Sequence, residues 1–194
     1  MLVIGLVGKR GAGKDTVADF LVQNHGFVKL SFAEPLKRVC RELYCLSEEQ
    51  LHERGLKETT DERWGMSPRE IMQVVGTDVV RRQLGDDFWV RHLDARIRAL
   101  APGTARVVIS DVRFEIEADF VRDAGGFLVR IREPHTAETS AAATRGVDRH
   151  PSETEQAGVA VHHTVFNDKK GLPPLYRSVE DLLLKLLPLR TTSP

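Results

Sequence analysis

Apolar runs of strand length alternate along this chain with stretches whose apolar residues recur at helical spacing. The runs cover residues 2–7, 27–32, 106–109, 127–131 and 159–166. Between the first two, Val17, Ala18, Phe20 and Leu21 give a helix one apolar side, and His25-Gly26 closes it. Two strands joined by such a helix make a crossover unit, which parallel strands require. Leu36, Val39, Cys40, Leu43 and Tyr44 mark the next helix, opened by Glu34-Pro35. Ser47-Glu48-Glu49-Gln50 and Ser67-Pro68-Arg69-Glu70 each carry the capping-box pattern of a helix start. Residues 52–63 are too polar for a core and read as a surface excursion. Leu93, Ile97 and Leu100 continue an apolar stripe begun by Phe88 or Trp89; residues 115–124 and 178–187 supply two more helices, and the chain should fray beyond 188. The pattern predicts an α/β fold with no internal repeat.

The first strand runs into Gly8-Lys9-Arg10-Gly11-Ala12-Gly13-Lys14-Asp15-Thr16. Three glycines let consecutive N–H groups turn inward, Lys14 adds a positive charge, and the following helix points its N-terminus at the same place. Strand, spacing and helix onset match the P-loop pattern, so residues 8–16 are expected to cradle nucleotide phosphates. Asp15 stands where a magnesium-binding hydroxyl usually follows the lysine.

Further along, Arg69, Gln73, Thr77 and Arg81 recur every four residues on one polar face, with Arg69 in a first helical turn that favours anions. Gly76 in mid-helix implies close approach by another group. Trp89 is either a base-stacking residue or core. Asp111 and Arg113 follow the third strand, where an open parallel sheet binds its ligands; Asp111 is suited to magnesium or its water, Arg113 to a phosphate. Asn167 sits at the last strand's end, where an adenine could rest. The polar stretch 133–158 reads as a mobile lid able to bring Arg145 or Arg149 to the transferring group. His162 and His163 are neighbours on a strand, face opposite ways and make a poor metal pair.

Two anion sites on one crevice imply transfer between them. An acceptor that is itself a phosphate has a second pKa of about 6 and is a dianion at neutral pH, so no general base is needed. Positioning and charge neutralisation suffice.

Composition narrows the partners. The 194 residues fit one domain, and 28 basic against 28 acidic residues leave no global field for nucleic acid or membrane. Cys40 and Cys45 lack the partners of a zinc site, and the apolar residues 2–7 are too short to span a bilayer and lead into no cleavage region. A cytoplasmic protein acting on a small molecule is expected.

The P-loop, together with Ser31-Phe32-Ala33-Glu34-Pro35-Leu36-Lys37, Ser67-Pro68-Arg69-Glu70, Gln73-Val74-Val75-Gly76-Thr77, Asp87-Phe88-Trp89-Val90, Asp111-Val112-Arg113-Phe114 and His150-Pro151-Ser152-Glu153, resembles the deoxynucleoside monophosphate kinases of tailed phages and large DNA viruses over residues 2 to about 175. The resemblance implies a P-loop kinase fold: a five-stranded, mainly parallel sheet flanked by helices, an acceptor-binding helical part over about 46–103, and a lid over about 133–158. It implies ATP and Mg2+ as cofactors, a deoxynucleoside monophosphate as substrate, Arg69 and Arg113 on the acceptor phosphate, Gln73 and Thr77 near its sugar or base, and a homodimer. Lysine followed by aspartate is usual in that family. An asparagine-glutamate pair often seen there is replaced by Glu115-Ile116-Glu117, so no role passes to Glu115. A kinase for phosphomevalonate or dephospho-coenzyme A, and a nucleotide-dependent switch, are the competing readings.

Overall fold

The computed structural model describes residues 1–134 and 155–187, the side chain of Arg54 excepted. Its centre is a five-stranded sheet in the order β2-β3-β1-β4-β5, every neighbouring pair parallel. The strands are β1 Leu2–Val7, β2 Val28–Leu30, β3 Arg106–Val112, β4 Phe127–Arg132 and β5 His163–Phe166. All six residues of β1 are buried, as a central parallel strand covered on both faces requires. Alternation sorts them: Leu2, Ile4 and Leu6 pack with α1 (Lys14–His25) and the C-terminal helix (Leu172–Leu186), while Val3 and Val7 join the core on the other face. That opposite core includes Leu93, Ala118 and Val121. A third, smaller core of Cys40, Leu46, Leu51, Ile71, Met72 and Val75 holds the helical part together.

From β1 the chain crosses to one side to make β2, and from β3 it crosses over β1 to make β4. The carboxyl end of β1 is therefore the switch point where such sheets open a ligand crevice. The P-loop emerges there.

Several elements differ from the periodicity reading. Strand β2 spans three residues, β5 four, and the last helix starts six residues earlier than expected, with Pro173 and Pro174 in its first turn. Strand β3 continues through Val112, so Asp111 lies within the strand rather than beyond it. The capping boxes at Ser47 and Ser67 both form. After α2 (Ala33–Tyr44), the short helix expected from Ser47 forms as α3 (Glu48–His52) and places Leu51 in the third core, and the polar stretch 52–63, expected as a surface excursion, contains a further short helix, α4 (Arg54–Glu58). The helix from Ser67 is α only over Pro68–Gln73; Val74–Arg81 is π-helical, with the Arg82 N–H reaching back to the Thr77 carbonyl. Gly76 admits Leu36, whose Cδ2 would lie 2.5 Å from a Cβ at that position. Among the described residues no helix is long and apolar enough to cross a membrane.

Gly126 turns the chain from the helix Glu115–Asp123 into β4, and a Cβ there would sit 2.7 Å from the Val3 carbonyl oxygen and 2.8 Å from that of Val121. Both obstacles are main chain and cannot rotate away. Gly126→Ala should cost about 1–3 kcal/mol of stability, as overpacking does, read from the urea midpoint; an unchanged midpoint would contradict this packing.

Candidate active site

A cleft of about 600 Å³ opens over the carboxyl ends of β1 and β3. On the donor side the P-loop glycines take conformations that place N–H groups inward: Gly8, Gly11 and Gly13 have φ of 152°, 78° and 104°. Gly8 also lies against β4, where a Cβ would run into the Ile131 carbonyl. Lys14 opens α1 and donates its ammonium to the Gly8 and Lys9 carbonyls, at 2.6 and 3.0 Å. Gly8, Arg10, Gly11, Lys14 and Asp15 line the cleft; Lys9, Ala12, Gly13, Thr16 and Asn167 do not. Asn167, expected beside a base, turns its amide to the back of the loop and donates to the Ala12 carbonyl.

The wall facing the P-loop is built by the helical part. Arg69, Gln73, Thr77 and Arg81 all line the cleft despite a four-residue repeat that an α-helix does not keep in line. In an α-helix each four-residue step overshoots a turn by ~40°. The π-helical segment winds with more than four residues per turn and falls short instead, which cancels the drift. Arg69 is buried, with Nε 2.6 Å from Glu58 Oε1, an oxygen that Arg10 of the P-loop also holds. Arg81 lays its guanidinium over the Phe114 ring, 3.6 Å from the centroid. The Gln73 amide nitrogen is buried with no hydrogen-bond partner among the described residues. Trp89 is core: only 9 % exposed, it donates Nε1–H to the Gly76 carbonyl while also contributing to the cleft lining.

Two cations of this cleft carry no signal in the sequence. Lys37 and Lys57 face the same cleft as Arg69 and Arg113. Burial, reinforced by the charges of Lys37, Arg69 and Arg113, brings the Lys57 pKa down to about 8. A lysine so perturbed reports its burial first and, after that, the positive charge gathered around it, partly offset by Glu58. Lys57 stands in the polar stretch taken for solvated surface, and no periodicity distinguishes it from its neighbours.

At β3, the Asp111 oxygens accept the main-chain N–H groups of Phe32 and Ala33, at 2.8 and 2.9 Å, and so secure the start of the helix Ala33–Tyr44. Glu117 is the other missed residue. Its Oε2 accepts the N–H groups of Arg113 and Phe114, at 2.7 and 3.2 Å, fixing the turn that aims Arg113. Burial, with a smaller contribution from the Asp111 charge, pushes its pKa up to about 8, against two stabilising N–H bonds. The sequence cue was slight, since Phe114 offers no capping oxygen. Arg145 and Arg149, and with them the His150-Pro151-Ser152-Glu153 run, lie outside the described residues.

The donor side offers magnesium a sparse set of oxygens. Asp15 is largely exposed at the cradle, 3.0 Å from the Lys29 ammonium. Asp111 has one backbone donor on each oxygen. Such a set suits an ion that prefers one or two carboxylates completed by phosphate oxygens and water.

Sheet order, phosphate cradle and cationic cleft define a P-loop kinase, a phosphotransferase. The fold agrees with solved kinases of low sequence identity: dephospho-CoA kinase from Campylobacter jejuni (TM-score 0.53, 9% identity, 95% of this chain and 96% of that one) and shikimate kinase from Acinetobacter baumannii in complex with shikimate (0.51, 16%, 98% and 95%). The chain belongs to the deoxynucleotide monophosphate kinase family, whose model matches residues 48–170. A protein of Acanthamoeba polyphaga mimivirus that carries the provisional name deoxynucleotide monophosphate kinase is 38% identical over 190 residues, spanning 92% of this chain and 94% of its own.

Glu117 gives the site a pH signature. Its carboxyl holds a proton up to about pH 8 when folded but only to about 4.5 when unfolded, so the folded state binds more protons between those values. Its contribution to stability is complete below about pH 4.5 and is lost as pH rises through about 8. Glu117→Gln should therefore gain stability relative to the parent chain as pH is raised across that window, measured by urea unfolding at each pH. A difference that stays flat would mean the carboxyl is already ionised at low pH.

Proposed function

We propose that this kinase transfers the γ-phosphoryl group of ATP to a deoxynucleoside 5'-monophosphate, giving the diphosphate. One observation carries the reading: four cationic side chains, Lys37, Lys57, Arg69 and Arg113, share a cleft with the P-loop, a gathering of positive charge suited to a second, dianionic phosphate. In this reading the helical part, about 46–103, forms the acceptor side. Arg69 and Arg113 hold the acceptor phosphate in line with the donor, and their charge offsets its repulsion by the γ-phosphate. The acceptor oxygen attacks without a base, because it is already deprotonated. Lys14 leaves the carbonyls of Gly8 and Lys9 to follow the phosphoryl group. Gln73 offers its amide donor to the sugar or base, with Thr77 beside it. Asp15 and Asp111 are the carboxylates that would hold magnesium beside the phosphates, and the ion would supply positive charge to the transferring group.

The direct test is a coupled ADP-release assay with Mg-ATP across the deoxy- and ribonucleoside monophosphates, with phosphomevalonate and dephospho-coenzyme A in parallel arms. Turnover should require an added deoxynucleoside monophosphate; response to a non-nucleotide acceptor alone would overturn the assignment. Lys14→Ala should lower kcat by about 10²–10³-fold, as loss of one transition-state donor does. Arg69→Ala should raise the acceptor KM roughly 10- to 100-fold and leave that for ATP unchanged. Equal damage to both constants would misplace Arg69.

Lys57 adds a pH test. The acceptor stays dianionic above about pH 6, whereas the Lys57 ammonium is lost as pH passes about 8. Acceptor kcat/KM should therefore fall above about pH 8, and Lys57→Arg, which cannot deprotonate there, should remove the fall. A parallel decline in both proteins would exclude Lys57.

A further inference from the structure

A nest that turns its N–H groups toward a ligand turns carbonyls the other way, and those oxygens need donors of their own. In this P-loop the donors are identifiable. Lys14 serves the carbonyls of Gly8 and Lys9, and the Ala12 N–H also reaches Lys9, at 3.2 Å. The carbonyls of Gly11 and Ala12 are served from outside the loop, by the turn that follows β5. Asn167 donates Nδ2–H to Ala12, at 3.0 Å, and Lys169 donates its ammonium to Gly11, at 2.5 Å.

The turn is built to hold those two donors. Asn167 is buried, 7 % exposed, and its Oδ1 accepts the Lys169 N–H at 3.2 Å, so neither end of the amide is free to rotate. Its own N–H is tied to the Arg132 carbonyl at the end of β4. Lys169 adopts a left-handed backbone, φ 60°, unusual for a non-glycine residue, and its ammonium also meets Glu133 at 3.3 Å. Gly13 completes the fit. A Cβ there would lie 2.5 Å from Asn167 Nδ2, so the amide occupies the space that a side chain would take. The glycine is demanded from behind by the protein as well as from in front by the phosphates.

We propose that Asn167 and Lys169 are positioning residues for the donor nucleotide, a clamp that sets the P-loop by holding its outward carbonyls. This role rests on the reading of the loop as the ATP site, and it places Asn167 behind the phosphates instead of beside the base. Neither residue lines the cleft. Their effect reaches the ligand through the direction of the Gly11–Lys14 N–H groups.

The test is direct titration of each protein with a fluorescent ATP analogue and magnesium, alongside steady-state kinetics and thermal unfolding. Binding of the analogue by the parent chain establishes the ATP site apart from any acceptor, so failure of the functional reading shows there and failure of the clamp shows only in the variants. Lys169→Met, at a half-exposed side chain, should raise the nucleotide Kd about tenfold with little change in Tm and no change in the acceptor KM. Lys169→Arg should restore affinity to within about threefold, since its guanidinium can donate to the same carbonyl. Asn167→Asp keeps the shape but sets an acceptor against the Ala12 carbonyl; it should weaken the nucleotide at least as much as Asn167→Ala. The proposal is overturned if Asn167→Asp binds like the parent chain, if Lys169→Met leaves Kd unchanged, or if donor and acceptor constants rise together.

Discussion

Like charges gathered along one cleft are the constraint on which this molecule turns. Lys37, Lys57, Arg69 and Arg113 converge on a cleft whose walls remove them partly from water, and Lys57 records the cost in its depressed pKa. No strand or helix favours that arrangement by itself. It is supported by the third core, where Cys40, Leu51, Ile71 and Met72 fasten the helix Ala33–Tyr44, which carries Lys37, to α3 and the Arg69 helix. Glu58 relieves some of the repulsion by sharing one oxygen between Arg69 and Arg10. The cation cluster thus exists because apolar packing elsewhere is strong enough to hold it.

The opposite wall of the cleft uses main-chain dipoles more than formal charges. Three glycines shape the P-loop, yet two of them answer to the protein: Gly8 to the Ile131 carbonyl and Gly13 to the Asn167 amide. Asp111 and Glu117 perform a related service at β3, each accepting two backbone N–H groups. Both acids line the cationic cleft, where an ordinary negative charge would offset part of its field. Asp111 spends it on the N-terminus of a helix, and Glu117 keeps its proton.

Those parts of the fold and site that depend on local pattern were legible from the residues. The P-loop, the capping boxes at Ser47 and Ser67 and the buried strands β1 and β4 all carry their signal within a few positions. Asp111 was misplaced by one element because β3 keeps its extended form past the apolar run, where a register shift opposite β1 lets polar residues into the strand. Lys57 and Glu117 were missed because their roles come from tertiary position: one is a lysine among polar neighbours, the other an acid at a helix start without a capping partner. Asn167 was found for the wrong face of the loop. Its residue type announced a hydrogen-bonding job, and only the packing of β5 against the P-loop decides with which atoms.

The π-helical stretch Val74–Arg81 gives the substrate-facing wall an unusual kind of control. A helix that changes its pitch midway sets the bearing of each side chain through its backbone register, so the same residues wound as a plain α-helix would swing Thr77 and Arg81 off the line of Gln73 by ~40° and ~80°. Inheritance of this wall is therefore a matter of chain length as much as of composition: one residue gained or lost between Gln73 and Arg82 would rewrite what the cleft presents and would also shift Val75 and Val80 against the cores they pack on.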